Sequence, residues 1–199
     1  MTENEQQVAG LLLAAGGGTR LGGRPKALLE HRGRPLVEHA VGVLRAAGCT
    51  RVHVVLGAAA AAVRERAELD DCVLVENPDW ADGMGSSLRA GLGSLAGTRA
   101  RAALVSLVDQ PGIGVEAVRR VLGAYEDETS LVSAAYDGIR GHPVLFGAAH
   151  WAGIAASATG DRGARAYLEE HRHALVLVEC ADVAEPYDID TPEDLAHLE

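Results

Sequence analysis

Residues 13–26 read L-A-A-G-G-G-T-R-L-G-G-R-P-K, and an apolar run leads into them from Val8. Apolar residues over 8–13 that give way to glycines predict a buried strand followed by a tight loop. Three consecutive glycines let backbone N–H groups approach an anion, with Arg20 and Lys26 close behind in sequence. Two familiar phosphate motifs do not fit. Leu21 stands where the dinucleotide fingerprint GxGxxG needs its last glycine, and the chain has no GK[ST]. Lys26 is the only lysine among 18 basic residues. A lysine offers a compact charge on a flexible stem and reaches one phosphoryl oxygen, whereas planar arginine prefers a bidentate partner.

Outward from this loop, strand-like runs at 52–56, 72–75 and 102–108 alternate with helical periodicity at 35–47, 58–67 and 115–124. A helix is expected to start at Ser86 or Ser87, either of which could cap it. The second half is less regular. Strands are expected at 131–136 and 143–146, joined by a turn at Asp137-Gly138, then helices at 148–156 and 165–170 and a last strand at 175–179. Thr191-Pro192-Glu193 opens a C-terminal helix. No internal repeat or linker interrupts the chain, so the expectation is one domain over 1–199. Its fold class is α/β: a three-layer, mostly parallel twisted sheet with helices on both faces. Ligands of such sheets sit at the carboxyl ends of the strands, where the loops after Leu13, Val75 and Val108 converge.

Apolar residues make up 48% of the chain and aromatics 4%, so the core must be built from Val, Leu and Ala. A net charge of −10 argues against a nucleic-acid polymer or an anionic membrane as partner. Three separated cysteines give neither a disulfide framework nor a zinc site. The segment T-E-N-E-Q-Q at 2–7 has the wrong charge for a signal peptide, and no apolar run is long enough to span a membrane. A soluble, cytoplasmic protein is expected.

The residues Leu13-Ala14-Ala15-Gly16 … Arg20-Leu21-Gly22 … Lys26 resemble the LxxGxxxRxGxxK signature of nucleotidyltransferases with a Rossmann-like fold. Within them the chain resembles the molybdenum-cofactor nucleotidyltransferases, in particular the molybdopterin cytidylyltransferase branch. The likeness includes N-P-D-W-A-D-G-M-G-S-S-L-R-A-G (77–91), L-V-D-Q-P (107–111), R-G-H-P-V-L-F (140–146), G-D-R-G-A-R (160–165) and D-I-D-T-P-E-D-L (188–195). It implies transfer of a nucleotidyl group, CMP from CTP, to the terminal phosphate of molybdopterin, with release of pyrophosphate and hand-over to a molybdoenzyme.

The resemblance also implies roles. Arg20, Lys26 and Asp109 would be catalytic. Leu13, Ala14, Ala15, Gly16, Gly17, Gly18, Asn77, Ser86 and Ser87 would bind the nucleotide. Asp109 and Asp190 would hold Mg²⁺, a hard cation that uses one or two carboxylates beside water and phosphate. His142 and Asp161 would face the acceptor. Several of these residues have plainer readings from local chemistry alone. Asp109 and Asp161 could cap helices, His142 could be a turn residue, and either Asp190 or Thr191 could cap the last helix. Asp188 and Asp190 share one side of an extended backbone, so either could be the second ligand. Guanylyl-transferring relatives resemble L-A-G-G where this chain has Leu13-Ala14-Ala15-Gly16, so the Ala15 methyl is expected to favour a pyrimidine. The remaining histidines and both tryptophans show no ligand spacing. Other readings are a nucleotidyltransferase for another small phosphorylated metabolite, a nucleotide-sugar glycosyltransferase, which would want a DxD motif in place of D-Q-P, and a non-catalytic cofactor chaperone.

Overall fold

The computed structural model describes residues 7–198; Gln7 is thus the one residue of the 2–7 segment within it. Strand β1 (Val8–Ala14) is buried along its whole length and is an interior strand of the main sheet. Its residues feed two cores in turn. Leu12 and Ala14 pack on the side of helices α1 (Leu36–Ala47), α2 (Ala60–Arg66) and α4 (Val115–Gly123). Leu11 and Leu13 pack on the side of α3 (Met84–Ser94), α5 (Trp151–Ser157) and α6 (Arg165–Glu170). A strand covered on both faces must be apolar at every position, which is the pattern of the opening run.

The remaining strands are β2 (Glu30–His31), β3 (Arg34–Pro35), β4 (Val52–Leu56), β5 (Val73–Glu76), β6 (Ala102–Leu107), β7 (Leu131–Tyr136), β8 (Ile139–Gly147) and β9 (Leu175–Glu179). β2 and β3 form a small hairpin, and the other seven make one sheet in the order β5-β4-β1-β6-β8-β7-β9. Pairs β4/β5, β1/β4, β1/β6 and β7/β9 are parallel. β8 runs antiparallel to both β6 and β7, so the sheet is mixed, though mostly parallel. Among the described residues no helix is long and apolar enough to cross a membrane.

The expected elements are present, with informative differences at their ends. The β7–β8 turn falls at Asp137-Gly138, both with positive φ, the conformation of a tight hairpin. β8 begins at Ile139 rather than at 143, because Ser133 Oγ and the Tyr136 hydroxyl donate to the carbonyls of Gly141 and His142 and hold a polar stretch in the strand. Helix α3 begins at Met84 on a Gly83 cap, not at Ser86 or Ser87, whose side chains are buried. The C-terminal turns are 3₁₀ over Pro192–Leu198. The Asp194 carboxylate caps them by accepting from the amides of Asp190 and Thr191 and from the Thr191 hydroxyl, so the Asp190 carboxylate is not spent as the cap.

Helix α3 approaches β1 so closely that a Cβ at Gly91 would lie 2.6 Å from Leu11 Cδ1, while one at Gly93 would meet open space. Gly91→Ala should therefore lower stability in urea titration by about 1–3 kcal/mol through overpacking. Gly93→Ala on the same helix should leave it unchanged or raise it by up to about 1 kcal/mol.

Candidate active site

The glycine loop leaves β1 at the carboxyl edge of the sheet. Gly18 adopts φ +61°, and its carbonyl accepts from the amides of Leu21 and Gly23, folding the loop back on itself. A Cβ at Gly18 would lie 1.9 Å from the Arg24 carbonyl oxygen, so no side chain fits there. Among the described residues no protein group accepts from the amides of Gly16, Gly17 or Gly18, which leaves these donors for a ligand.

Lys26 extends from the end of this segment between two carboxylates. Its Nζ donates to Asp109 Oδ2 at 2.6 Å and also to Asp190 Oδ1. Arg20 reaches Asp190 Oδ2 at 3.2 Å from the solvent side. Asp109 follows β6, and its carbonyl accepts from the Ile189 amide at 2.9 Å, which ties the 188–190 segment to the end of β6. Burial works against the Lys26 charge, but the attraction and hydrogen bonding of Asp109 and Asp190 outweigh it and hold the pKa above its ordinary value. Arg20, Lys26, Asp109 and Asp190 are thus one cluster.

Asp188 sits apart from that cluster. Its Oδ1 accepts from Gln110 Nε2 at 2.8 Å. Burial raises its carboxyl pKa; the Gln110 bond opposes that, and the charges of Asp109 and Asp190 add to it. Of the two aspartates left open by spacing, Asp190 faces Asp109 across Lys26. Two carboxylate oxygens converging on one ammonium form a hard, negative donor pair, and this fits a divalent cation whose other positions are filled by water and phosphate. Among the described residues no group of three His, Cys, Asp or Glu side chains gathers into a metal site, so the protein's share of a coordination shell would be these two oxygens.

A pocket of about 730 Å³ opens beside Asp188, between β6, β8 and α6. Its floor is apolar, from Leu13, Val105, Val144 and Phe146, and its rim carries Arg140, His142, Asp161, Arg162 and Arg165. Both acceptor-side candidates, His142 and Asp161, are therefore on one pocket. His142 is half-buried; burial brings its pKa down to about 4 against the pull of Asp109, with the Arg140 charge adding to the decrease, so the ring is neutral near pH 7. Sequence reasoning missed Gln110 and the three arginines, although D-Q-P, R-G-H and G-D-R-G-A-R contain them.

Two groups of candidates are more deeply set than the sequence suggests. Asn77, Ser86 and Ser87 are buried and bonded to one another: Asn77 Nδ2 donates to both hydroxyls at 2.9 and 3.1 Å, and Ser86 Oγ donates to the Asp79 carbonyl at 2.8 Å. Their side chains clamp the loop after β5. Ala15 is also buried, its methyl in the core on the α3 side and its carbonyl accepting from Ala58. That methyl cannot act as a steric gate on the open side of the loop.

Residues 10–175 match the MobA-like NTP transferase domain. The chain belongs to this family. Among MobA-like relatives, the nicotine blue oxidoreductase of Paenarthrobacter nicotinovorans is 42% identical over 96% of both chains. The molybdenum cofactor guanylyltransferase of Shewanella amazonensis is 27% identical over 96% of this chain and 95% of its own. The structure of Rv0371c from Mycobacterium tuberculosis H37Rv in complex with manganese superposes with a TM-score of 0.78 at 29% identity, covering 96% and 97% of the two chains.

Two outcomes check the geometry without reference to turnover. Gly18→Ala should lower the melting temperature clearly, whereas Gly16→Ala, whose Cβ meets nothing within 4 Å, should not. Lys26→Met leaves two carboxylates facing each other with their bridging ammonium gone, so it should lose about 1–3 kcal/mol in low salt. Millimolar Mg²⁺ or Mn²⁺ should restore more of that stability than it adds to the wild type, as read by thermal melting.

Proposed function

We propose that the protein transfers a nucleotidyl group from an NTP to the terminal phosphate of a small cofactor and releases pyrophosphate. The observation that carries this reading is the Lys26 ammonium holding Asp109 and Asp190 together beside the unpaired amides of the glycine loop. A triphosphate laid on the loop brings its β- and γ-phosphates to those amides, Arg20 and Lys26. Its α-phosphorus then lies toward Asp109. An oxygen of the acceptor phosphate attacks that phosphorus in line, forming one P–O bond as the bond to the β-phosphate breaks. The negative charge gathers on the departing pyrophosphate, where the fixed amides and two cationic side chains stabilise it more than they stabilise the bound triphosphate. Mg²⁺ is the proposed cation; held by Asp109 and Asp190, it would supply further neutralisation of phosphate charge.

The apolar floor and arginine-bearing rim of the large pocket suit a flat ring that carries a phosphate, which supports molybdopterin as acceptor. CTP is the proposed donor on the resemblance of G-M-G-S-S-L (83–88) to the cytidylyl branch, now without the Ala15 argument. A soluble cytoplasmic protein and hand-over of the product to a molybdoenzyme complete this reading.

A second reading has one observation in its favour. The 42% identity to a protein named nicotine blue oxidoreductase extends along both chains, and an apolar pocket floor would also receive a flat heteroaromatic compound. One pair of assays separates the two. Pyrophosphate release from CTP or GTP with molybdopterin and Mg²⁺ supports nucleotidyl transfer. Oxidation of a reduced nicotinamide in the presence of a heteroaromatic dye, with no pyrophosphate formed, replaces it. Under the first reading, Lys26→Ala should lower kcat by about 10²-fold or more with little change in acceptor KM. Lys26→Arg should be impaired as well, and chelation of divalent cations should stop turnover.

A further inference from the structure

The buried Asn77–Ser86–Ser87 clamp anchors the turn that carries Trp80, a residue with no ligand spacing of its own. Asn77 Oδ1 accepts from the Asp79 amide at 3.0 Å, and the single proton of Ser86 Oγ is shared between the carbonyls of Asp79 and Gly83 at 2.8 and 2.9 Å. Both ends of the short 3₁₀ turn Trp80–Asp82 are thereby fixed, and with them the Trp80 side chain. Its indole lies against two other loops. A Cβ at Gly57, after β4, would fall 2.5 Å from Trp80 Cβ and 2.8 Å from Cγ. A Cβ at Gly17, in the glycine loop, would fall 3.3 Å from Cζ3 and 3.4 Å from Cη2. The ring therefore spans from the β4 loop to the β1 loop, and it reaches the peptide whose neighbouring amides are unpaired.

Trp80 is only half-buried, unlike the residues that fill the two cores. An aromatic plane that is both fixed from behind and partly open, at the edge of an anion-binding turn, has the form of a stacking platform for a base or ribose. Glycine at 17 and 57 is what lets the ring come this close.

We propose that Trp80 is a nucleoside-binding and positioning residue of the NTP subsite. Its indole forms the wall against which the nucleoside rests, and it holds the Gly17 peptide at the angle that presents the loop amides to the phosphates. The inference rests on the nucleotidyl-transfer reading. It gives the N-P-D-W segment a function in which the polar residues clamp and the tryptophan makes the contact.

The chain has two tryptophans, so Trp151→Phe leaves Trp80 as the sole indole reporter. Titration of that protein with CTP and Mg²⁺ should give a saturable change in emission, with a midpoint matching the dissociation constant found by calorimetry. In the chain with Trp151 intact, Trp80→Ala should raise the KM for NTP about tenfold and leave acceptor KM within about twofold. Trp80→Phe, which keeps an aromatic face, should recover most of the loss. Should the alanine variant fail to fold, the reporter titration and the phenylalanine variant decide the matter. Calorimetric binding of CTP with silent Trp80 emission, or an unchanged NTP KM in folded Trp80→Ala, overturns this inference and leaves nucleotidyl transfer standing. Calorimetry that detects no NTP binding removes the nucleotidyl reading, and the inference with it.

Discussion

One ammonium group organises the functional edge of this protein. Lys26 comes from the loop after β1, Asp109 from the end of β6, and Asp190 from the segment before the last 3₁₀ turns. Two carboxylates brought this close repel, and in a chain of net charge −10 no general excess of cations offsets them. Lys26 supplies the opposite charge at the point where both oxygens meet. A guanidinium would spread that charge over a plane and engage one carboxylate in a fork, which is the geometric reason for a lysine in a chain otherwise furnished with arginine.

The rest of the site follows from where the sheet places these segments. Parallel strands β4, β1 and β6 end on the same side, so the glycine loop, the Gly57 turn and Asp109 share one edge. β8 then reverses direction, and the pocket with the apolar floor lies on its face between β6 and α6. Gln110 joins the two regions: it directly follows Asp109 in the chain, while its amide donates to Asp188 and its side chain lines the pocket. The Lys26 cluster and the apolar-floored pocket thus occupy adjoining ground with a short polar bridge between them.

Much of this was legible in the sequence for a physical reason. A strand buried on both faces leaves an unbroken apolar run, and a loop that admits no side chain leaves glycine, as at Gly18. Lys26 and Asp109 stood out because one is unique in composition and the other directly follows an apolar strand. What was not legible depends on contacts across the fold. Nothing local distinguishes a serine that donates to phosphate from Ser86, which donates to Asp79 and Gly83 behind the loop. The direction of the Ala15 methyl depends on which face of the sheet it meets, and β8 extends to Ile139 through hydrogen bonds that only its partners supply. Trp80 was passed over because its partners, Gly17 and Gly57, have no side chains to mark them.

The link between Lys26 and Asp190 also has a consequence in time. The two residues are 164 positions apart, whereas the β7–β8 hairpin closes within a single turn at Asp137-Gly138. During synthesis the glycine loop and Asp109 emerge from the ribosome well before Asp190 does. Contacts of such long separation form late, after the local ones have removed most of the chain's freedom. The sheet can therefore assemble around a lysine that has only one of its two carboxylates, and the cluster closes when the last segment docks. The Lys26 cluster is thus complete only once the 188–190 segment has docked on the end of β6, through the Ile189 amide and the Asp190 carboxylate.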